Sequence, residues 1–265
     1  MRQFFLIGCS ILVSWALHAR EIPFCKEEPF QAGERIEMAI LYKWGAINTE
    51  VAQASMVLEQ EENGYHATMA ARTAPFFDVF YRIRENFQSR FSLKGFRPME
   101  AIRDTYENGY TATNHYIYDW DAGIIRAELS FRGSAPEYKE IPLKSLSFDM
   151  VTLVYYIRNL DWGMVEAGQV CQLPFAIDND VFNISITCRG QENLKVRRMG
   201  RFRAMRLSCS VVAGVLFEGD QEIQVWFSDD DNHLPLAVMV PLKMGTMWAW
   251  LKRCENLKNP ITAKV

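Results

Sequence analysis

The stretch that most limits how this chain can fold runs from Phe148 to Asp161, FDMVTLVYYIRNLD, the one long apolar run after the N-terminal leader. As a helix it carries Val151, Leu153, Val154, Tyr155, Ile157 and Leu160 nearly all round, so it must be buried rather than half-exposed. Asp149, or Ser147 before it, can cap its start, and Asn159 to Gly163 offers a stop. A buried strand is the competing reading. Length decides for the helix, since periodicity alone does not.

Strand-like alternation lies on both sides of this run. Gly33-Glu34 opens the first case, with Ile36, Met38, Ile40, Tyr42 and Trp44 on one face and Arg35, Glu37 and Lys43 on the other. Val51 to Glu59 reads as a second strand, and Asn63-Gly64 turns it into a third, Tyr65 to Arg72. Pro75 introduces Phe76 to Arg84, expected as a short aromatic helix packed on a sheet edge. Hairpin patterns follow through Phe131, and Gly133, Pro136 and Pro142 mark a loop before the helix. Beyond the helix, short strand patterns recur between turn residues: 171–177, 182–188, 194–199, 202–212, 221–227, 235–241 and 246–251. Helices do not alternate with strands, which excludes βαβ units. The expected fold is mainly β: curved antiparallel sheets, as a half-barrel or two β lobes, around one buried central helix. The lobes are placed at 20–147 and 162–265, flanking the helix at 148–161 in one continuous domain.

The address is written at the start of the chain. Arg2, the apolar stretch Phe4 to Leu17 and the small residue of Leu17-His18-Ala19 form a signal peptide at 1–19. The expected location is the periplasm or envelope of a Gram-negative bacterium. Leu6-Ile7-Gly8-Cys9 matches a lipoprotein box that would acylate Cys9, but the apolar run ahead of it is short. No later run reaches the roughly 18 apolar residues of a membrane-spanning helix. Charges alternating along the first strand argue against an outer-membrane barrel. Cleavage after Ala19 leaves five cysteines, an odd number, none spaced C-x-x-C. Cys188 and Cys209 read as core thiols, and a Cys25–Cys254 bridge is an open alternative.

Composition rules out little else. With 265 residues, 49% hydrophobic and a net charge of −3, the chain can bury a substantial core and has no global pull on polyanions. Nucleic acid is not an expected partner. His66, His115 and His233 lie in separate elements, and neither a metalloprotease motif nor a nucleophile elbow is present. Asp229-Asp230-Asp231-Asn232-His233 lacks the Gly and distal Glu of a calcium loop and reads as a solvated turn. Lys195, Arg197, Arg198, Arg201 and Arg203, with Arg206, are candidates for contact with phosphate or another anion. Aromatic side chains at 13% serve either as core or as the lining of an apolar pocket.

Four pieces carry a resemblance. They are Gly33-Glu34, Asp149-Met-Val-Thr-Leu-Val-Tyr-Tyr-Ile-Arg158, Gly200-Arg-Phe-Arg-Ala204, and Trp226-Phe-Ser-Asp229 through Leu234-Pro235. In this order the chain resembles an uncharacterised family of exported bacterial proteins with antiparallel-β structure. The resemblance implies a fold and an address and brings no catalytic residue. The last piece is also similar to the tail of lipoprotein-carrier-type half-barrels, which lends the idea of an apolar hollow.

The leading expectation is an exported, non-enzymatic envelope protein that binds a lipid or other amphiphile. Its cleft would be lined by Trp44, Phe80, Tyr155, Tyr156, Trp226 and Trp248. A structural or assembly factor working through a protein partner, with a packed hollow, is the alternative, and a hydrolase a distant third. No cofactor and no metal is expected.

Overall fold

The computed structural model describes residues 22–265 apart from 93, 145, 179 and 213–221. The expected signal peptide, 1–19, and Cys9 lie outside the described residues. The N-terminal half supplies β1 (Arg35–Trp44), β2 (Ile47–Glu61), β3 (Gly64–Thr73), β4 (Ile83–Ser92), β5 (Pro98–Glu107), β6 (Tyr110–Asp119), β7 (Ile124–Phe131) and β8 (Glu137–Pro142). The helix α1 (Met150–Arg158) follows, and then β9 (Val170–Ile177), β10 (Asp180–Val196), β11 (Gly200–Val212), β12 (Ile223–Ser228), β13 (Pro235–Pro241) and β14 (Thr246–Glu255). All fourteen strands form one antiparallel sheet in the order β8-β7-β6-β5-β4-β3-β2-β1-β14-β13-β12-β11-β10-β9. Each half is a meander, and β1 and β14 join them at the middle. The sheet curls without closing. Ile141 of β8 packs with Ala176 and Val181 from the far edge, and Phe148 bridges Phe175.

The helix lies in the hollow, as its all-round apolarity requires. Leu153 and Ile157 pack with Leu173, Phe175, Leu207 and Phe227, while Val151 and Tyr155 meet Phe30, Phe91 and Phe202. Its start is pinned by Asp149, whose carboxylate accepts from Val151 N (2.8 Å), Thr152 N (3.0 Å), Thr152 Oγ1 (2.7 Å) and Ser89 Oγ (2.8 Å). Burial raises the Asp149 carboxyl above its ordinary pKa, and these donors pull it back only in part.

Its end is pinned more firmly. Arg158, with no exposed surface, forks onto Glu34 at 2.6 and 3.0 Å and donates to the carbonyls of His233 and Asn232, both at 3.1 Å. Phe30 and Tyr155 stack against the guanidinium. The segment ahead of β1 closes this end, where Cys25 N donates to Asn159 O and Asp161 N to Pro23 O.

Four readings need correction. Residues 137–142, expected as loop, form edge strand β8. Residues 182–199, expected as two strands, are largely one long strand that crosses a bulge between Cys188 and Gly190. Phe76 to Arg84 is not a helix on a sheet edge but a tip with a single 3-10 turn at Phe77–Val79. The Asp229–His233 turn is not merely solvated. Asn232 is fully buried and donates to Asn259 O and Pro260 O, while Asp230 accepts from Thr262 N and Ala263 N. It clasps the C-terminal tail onto the sheet.

Arg158→Met should cost about 3–5 kcal/mol in urea unfolding, because it strands the Glu34 carboxylate in the core. Adding Glu34→Leu to the same chain should restore most of that loss. A single-variant loss below about 1 kcal/mol would refute the role given to this pair.

Candidate functional site

The six residues expected to line one cleft occupy three places. Tyr155 is fully buried among Phe30 and Phe91, with ring centroids 5.0 and 5.7 Å away, and Tyr156 packs on Phe148 at 4.4 Å and Phe24 at 5.4 Å. The alternation that turns Phe227 and Leu251 toward the helix puts Trp226 and Trp248 on the opposite side of the sheet. There they stack on each other at 5.6 Å, and Trp248 stacks on Trp250 at 4.9 Å. Trp226 Nε1 donates to Glu192, and Arg206 lies over its ring. Trp44 and Phe80 stand at the rim, 50% and 68% exposed. For Trp44 the reason is local: it is the last residue of β1, at the β1–β2 turn, while Ala39 and Leu41 of the opposite face are buried across from Trp250 and Trp248.

The hollow is thus occupied by its own helix. Buried groups without a hydrogen-bond partner among the described residues include the hydroxyls of Tyr118 and Tyr155 and the side-chain oxygens of Asn114 and Asn159, and that of Tyr155 belongs to the helix itself.

A larger space lies outside. A groove of about 640 Å³ crosses β1 to β6. Register aligns Glu37, Ser55, Ala70, Asn86, Asp104 and Thr113 as one row across these strands, and Gln53, Arg72, Arg84, Tyr106 and Thr111 as a second. The row between them, from Met38 to Ala112, turns its side chains toward the hollow. Both lining rows therefore belong to the outer face. Ser55 and Ala70 keep the floor low, and Arg35, Arg72, Lys252, Glu37 and Asp104 supply charges of both signs. Lys252 lies 3.6 Å from Glu50 and Arg84 pairs with Asp78. Such a surface can hold an extended polar segment by paired charges and hydrogen bonds. A bare hydrocarbon chain would leave these charges unpaired.

A second polar cavity, about 400 Å³, is lined by Cys25, Lys26, Glu27, Asp161, Asp231, His233 and Asn259. It brings a thiol and an imidazole together, with Cys25 Sγ 3.8 Å from His233 Nδ1. The same Nδ1 is 2.7 Å from the carbonyl of Arg158, a contact that requires it to carry the proton. It cannot then deprotonate the thiol. Burial and the nearby Asp161 carboxylate push Cys25 up to about 11, the opposite of an activated nucleophile. All five cysteines of the described residues are free, Cys25 and Cys254 among them. His66 and His115 lie apart, against Glu59 at 3.3 Å and Glu100 at 2.7 Å. Among the described residues no group of His, Cys, Asp or Glu is arranged to hold a metal ion.

The basic candidates gather at the β10–β11 hairpin. Lys195, Arg197, Arg198 and Arg201 are exposed there, whereas Arg203 is engaged with Asp229 and with the carbonyl of Thr262 in the tail. The residues that sequence reasoning missed are the groove lining and Glu34. A lone arginine inside an otherwise apolar helix was a usable signal for a buried ion pair. The groove left no signal in any single strand.

Fold and surface together define an open, β-barrel-like sheet curled around a helix, with a mixed-charge groove on its outer face. Residues 39–250 match the family described as "Protein of unknown function (DUF3108)", and the chain belongs to that family. This agrees with the resemblance read from the four sequence pieces. No curated protein matches the sequence. Among solved structures, a β-barrel-like protein of the domain of unknown function DUF1849 from Brucella abortus superposes with a TM-score of 0.54 at 10% identity, over 87% of this chain and 100% of that one. The hypothetical protein CT021 from Chlamydia trachomatis gives a TM-score of 0.32 at 9% identity, over 87% and 91%. No helix of the described residues is long and apolar enough to cross a membrane.

Tyr155→Phe removes the unpartnered hydroxyl and keeps the ring. Urea unfolding should show the variant as stable as the wild type or up to about 1 kcal/mol more stable. A loss of about 1 kcal/mol or more would reveal a hydrogen-bond partner in the hollow.

Proposed function

We propose that this protein is an exported factor of the bacterial envelope that works by contact with a protein partner. It catalyses no reaction and carries no amphiphile. The observation that carries this reading is the use made of the hollow. Its helix is capped at one end by Asp149, anchored at the other by Arg158, and packed by Tyr155 and Tyr156 in between. The aromatic residues that would have lined a cleft are instead core, outer stack or rim.

The working surface in this reading is the outer groove. A polypeptide segment offers both signs of charge and backbone hydrogen-bonding groups, which is what Arg35, Arg72, Glu37, Asp104 and Asn86 would meet. The amphiphile reading keeps one observation on its side, the unmet hydroxyl of Tyr155.

Photo-crosslinking in the native host tests the groove. A photoreactive residue at position 104 should yield a discrete protein adduct, and Ala70→Arg, which fills the groove floor, should abolish it. The same reactive group at the exposed Glu137 position on β8 should yield none. An adduct that persists in Ala70→Arg, or its absence throughout, would remove the groove from the account. Native mass spectrometry of the mature protein should give a bare mass, and a lost-on-denaturation adduct of small-molecule size would favour the amphiphile reading instead.

A further inference from the structure

The rim that holds Trp44 and Phe80 is built inside out. In the β3–β4 tip, Phe76, Val79 and Phe80 are 70%, 82% and 68% exposed, while the polar residue between them faces inward. Asp78 accepts from Thr73 Oγ1 and from the Arg84 guanidinium, 2.9 Å away at one of its contacts. The backbone is closed on itself by Phe77 N, Asp78 N, Phe80 N and Tyr81 N, and Ala74 N ties the tip to Val51 O. Tyr81 OH donates to Glu107 at 2.6 Å. The phenyl rings of Phe76, Phe77 and Phe80 stack into a knob, at 5.2 and 5.8 Å from the first to the other two. The Asp78 carboxylate and most of the tip's amides are thus satisfied within, while Phe76, Val79 and Phe80 are turned out.

Two neighbouring tips repeat the arrangement. In the sheet order, the β1–β2 turn carries exposed Trp44 and Ile47, and the β13–β14 turn carries exposed Met244. The two turns touch: Tyr42 OH donates to Met244 O, and Gly245 lies so close to Lys43 O and Trp44 Cβ that an added Cβ would clash. Exposed cations stand directly beside the apolar residues at two of these tips, Lys43 and Arg82. Among the described carboxylates near these tips, Asp78 is paired with Arg84 and Glu50 lies 3.6 Å from Lys252, while Glu107 accepts the Tyr81 hydroxyl.

We infer that these three tips form a docking surface for an anionic lipid bilayer. Aromatic and aliphatic knobs with flanking lysine and arginine are the chemistry of interfacial insertion: the rings enter the acyl boundary and the cations meet the headgroup phosphates. Separate knobs suit a fluid surface that closes around each of them. A protein partner would call for a continuous, shape-complementary patch. The inference deepens the proposed function by naming the surface on which the envelope factor sits, and it rests on the export reading only for where that lipid is met.

Sedimentation of the purified mature protein with vesicles tests it. Vesicles of phosphatidylcholine mixed with phosphatidylglycerol should retain the protein at low salt, and pure phosphatidylcholine should retain it less. Phe76→Ser with Phe80→Ser should weaken retention by about tenfold or more, with the urea midpoint unchanged because both rings are exposed. Equal binding by this variant, or no binding to the anionic vesicles, would overturn the inference. So would a dimer, seen without vesicles, that the same variant dissociates, since the occupant would then be a second copy of the chain. None of these results alters the crosslinking expected from position 104, so the two proposals fail separately.

Discussion

One buried ion pair fixes where the helix sits between the halves of this molecule. Arg158 reaches from the last turn of the helix to Glu34 at the start of β1 and to the carbonyls of Asn232 and His233, which lie between β12 and β13. Those groups sit 124, 74 and 75 residues away in sequence. A desolvated arginine and glutamate attract strongly but are costly to strip of water, so the pair is weak evidence for net stability. Its value is specificity. Only one placement of the helix satisfies the fork on Glu34 and both carbonyls at once. Three of the four sequence pieces that carried the family resemblance meet at this knot, and the fourth lies beside it, where Arg203 bonds the C-terminal tail.

The consequence runs through the rest of the architecture. A sheet that curls without closing leaves an apolar trough and two unpaired edges. The helix fills the trough, and the cluster of Ile141, Ala176 and Val181 seals the gap between the edges. With the inside spent on packing, what remains for other molecules is the outside: a mixed-charge groove across β1 to β6 and an aromatic rim at one end.

Much of this was legible in the chain. The helix was readable because an all-round apolar run of that length has one comfortable environment, and the β2–β3 hairpin because Asn63-Gly64 is turn grammar. The failures share a physical cause. Strand β8 is a half-exposed edge strand bounded by Pro136 and Pro142, so neither face gives a clean period. The bulge near Gly190, which leaves Arg189 of β10 without a partner in β11, changes alternation through backbone register, which side-chain pattern does not encode. The Asp230–Asn232 clasp is polar because it binds backbone, and by composition it looks like solvated turn. The groove is harder still, since each strand contributes only two or three outward residues and their alignment exists only once registers are set.

The central claim is that the helix is a fixed part of the core and not a plug that moves aside for a ligand. Native-state hydrogen exchange across Val151 to Arg158 tests it most directly. The account predicts that these amides exchange only through global unfolding, with the same free energy and the same denaturant dependence as the slowest strand amides. Exchange through a smaller opening, at clearly lower free energy and with little denaturant dependence, would show a helix that leaves the hollow and would contradict it.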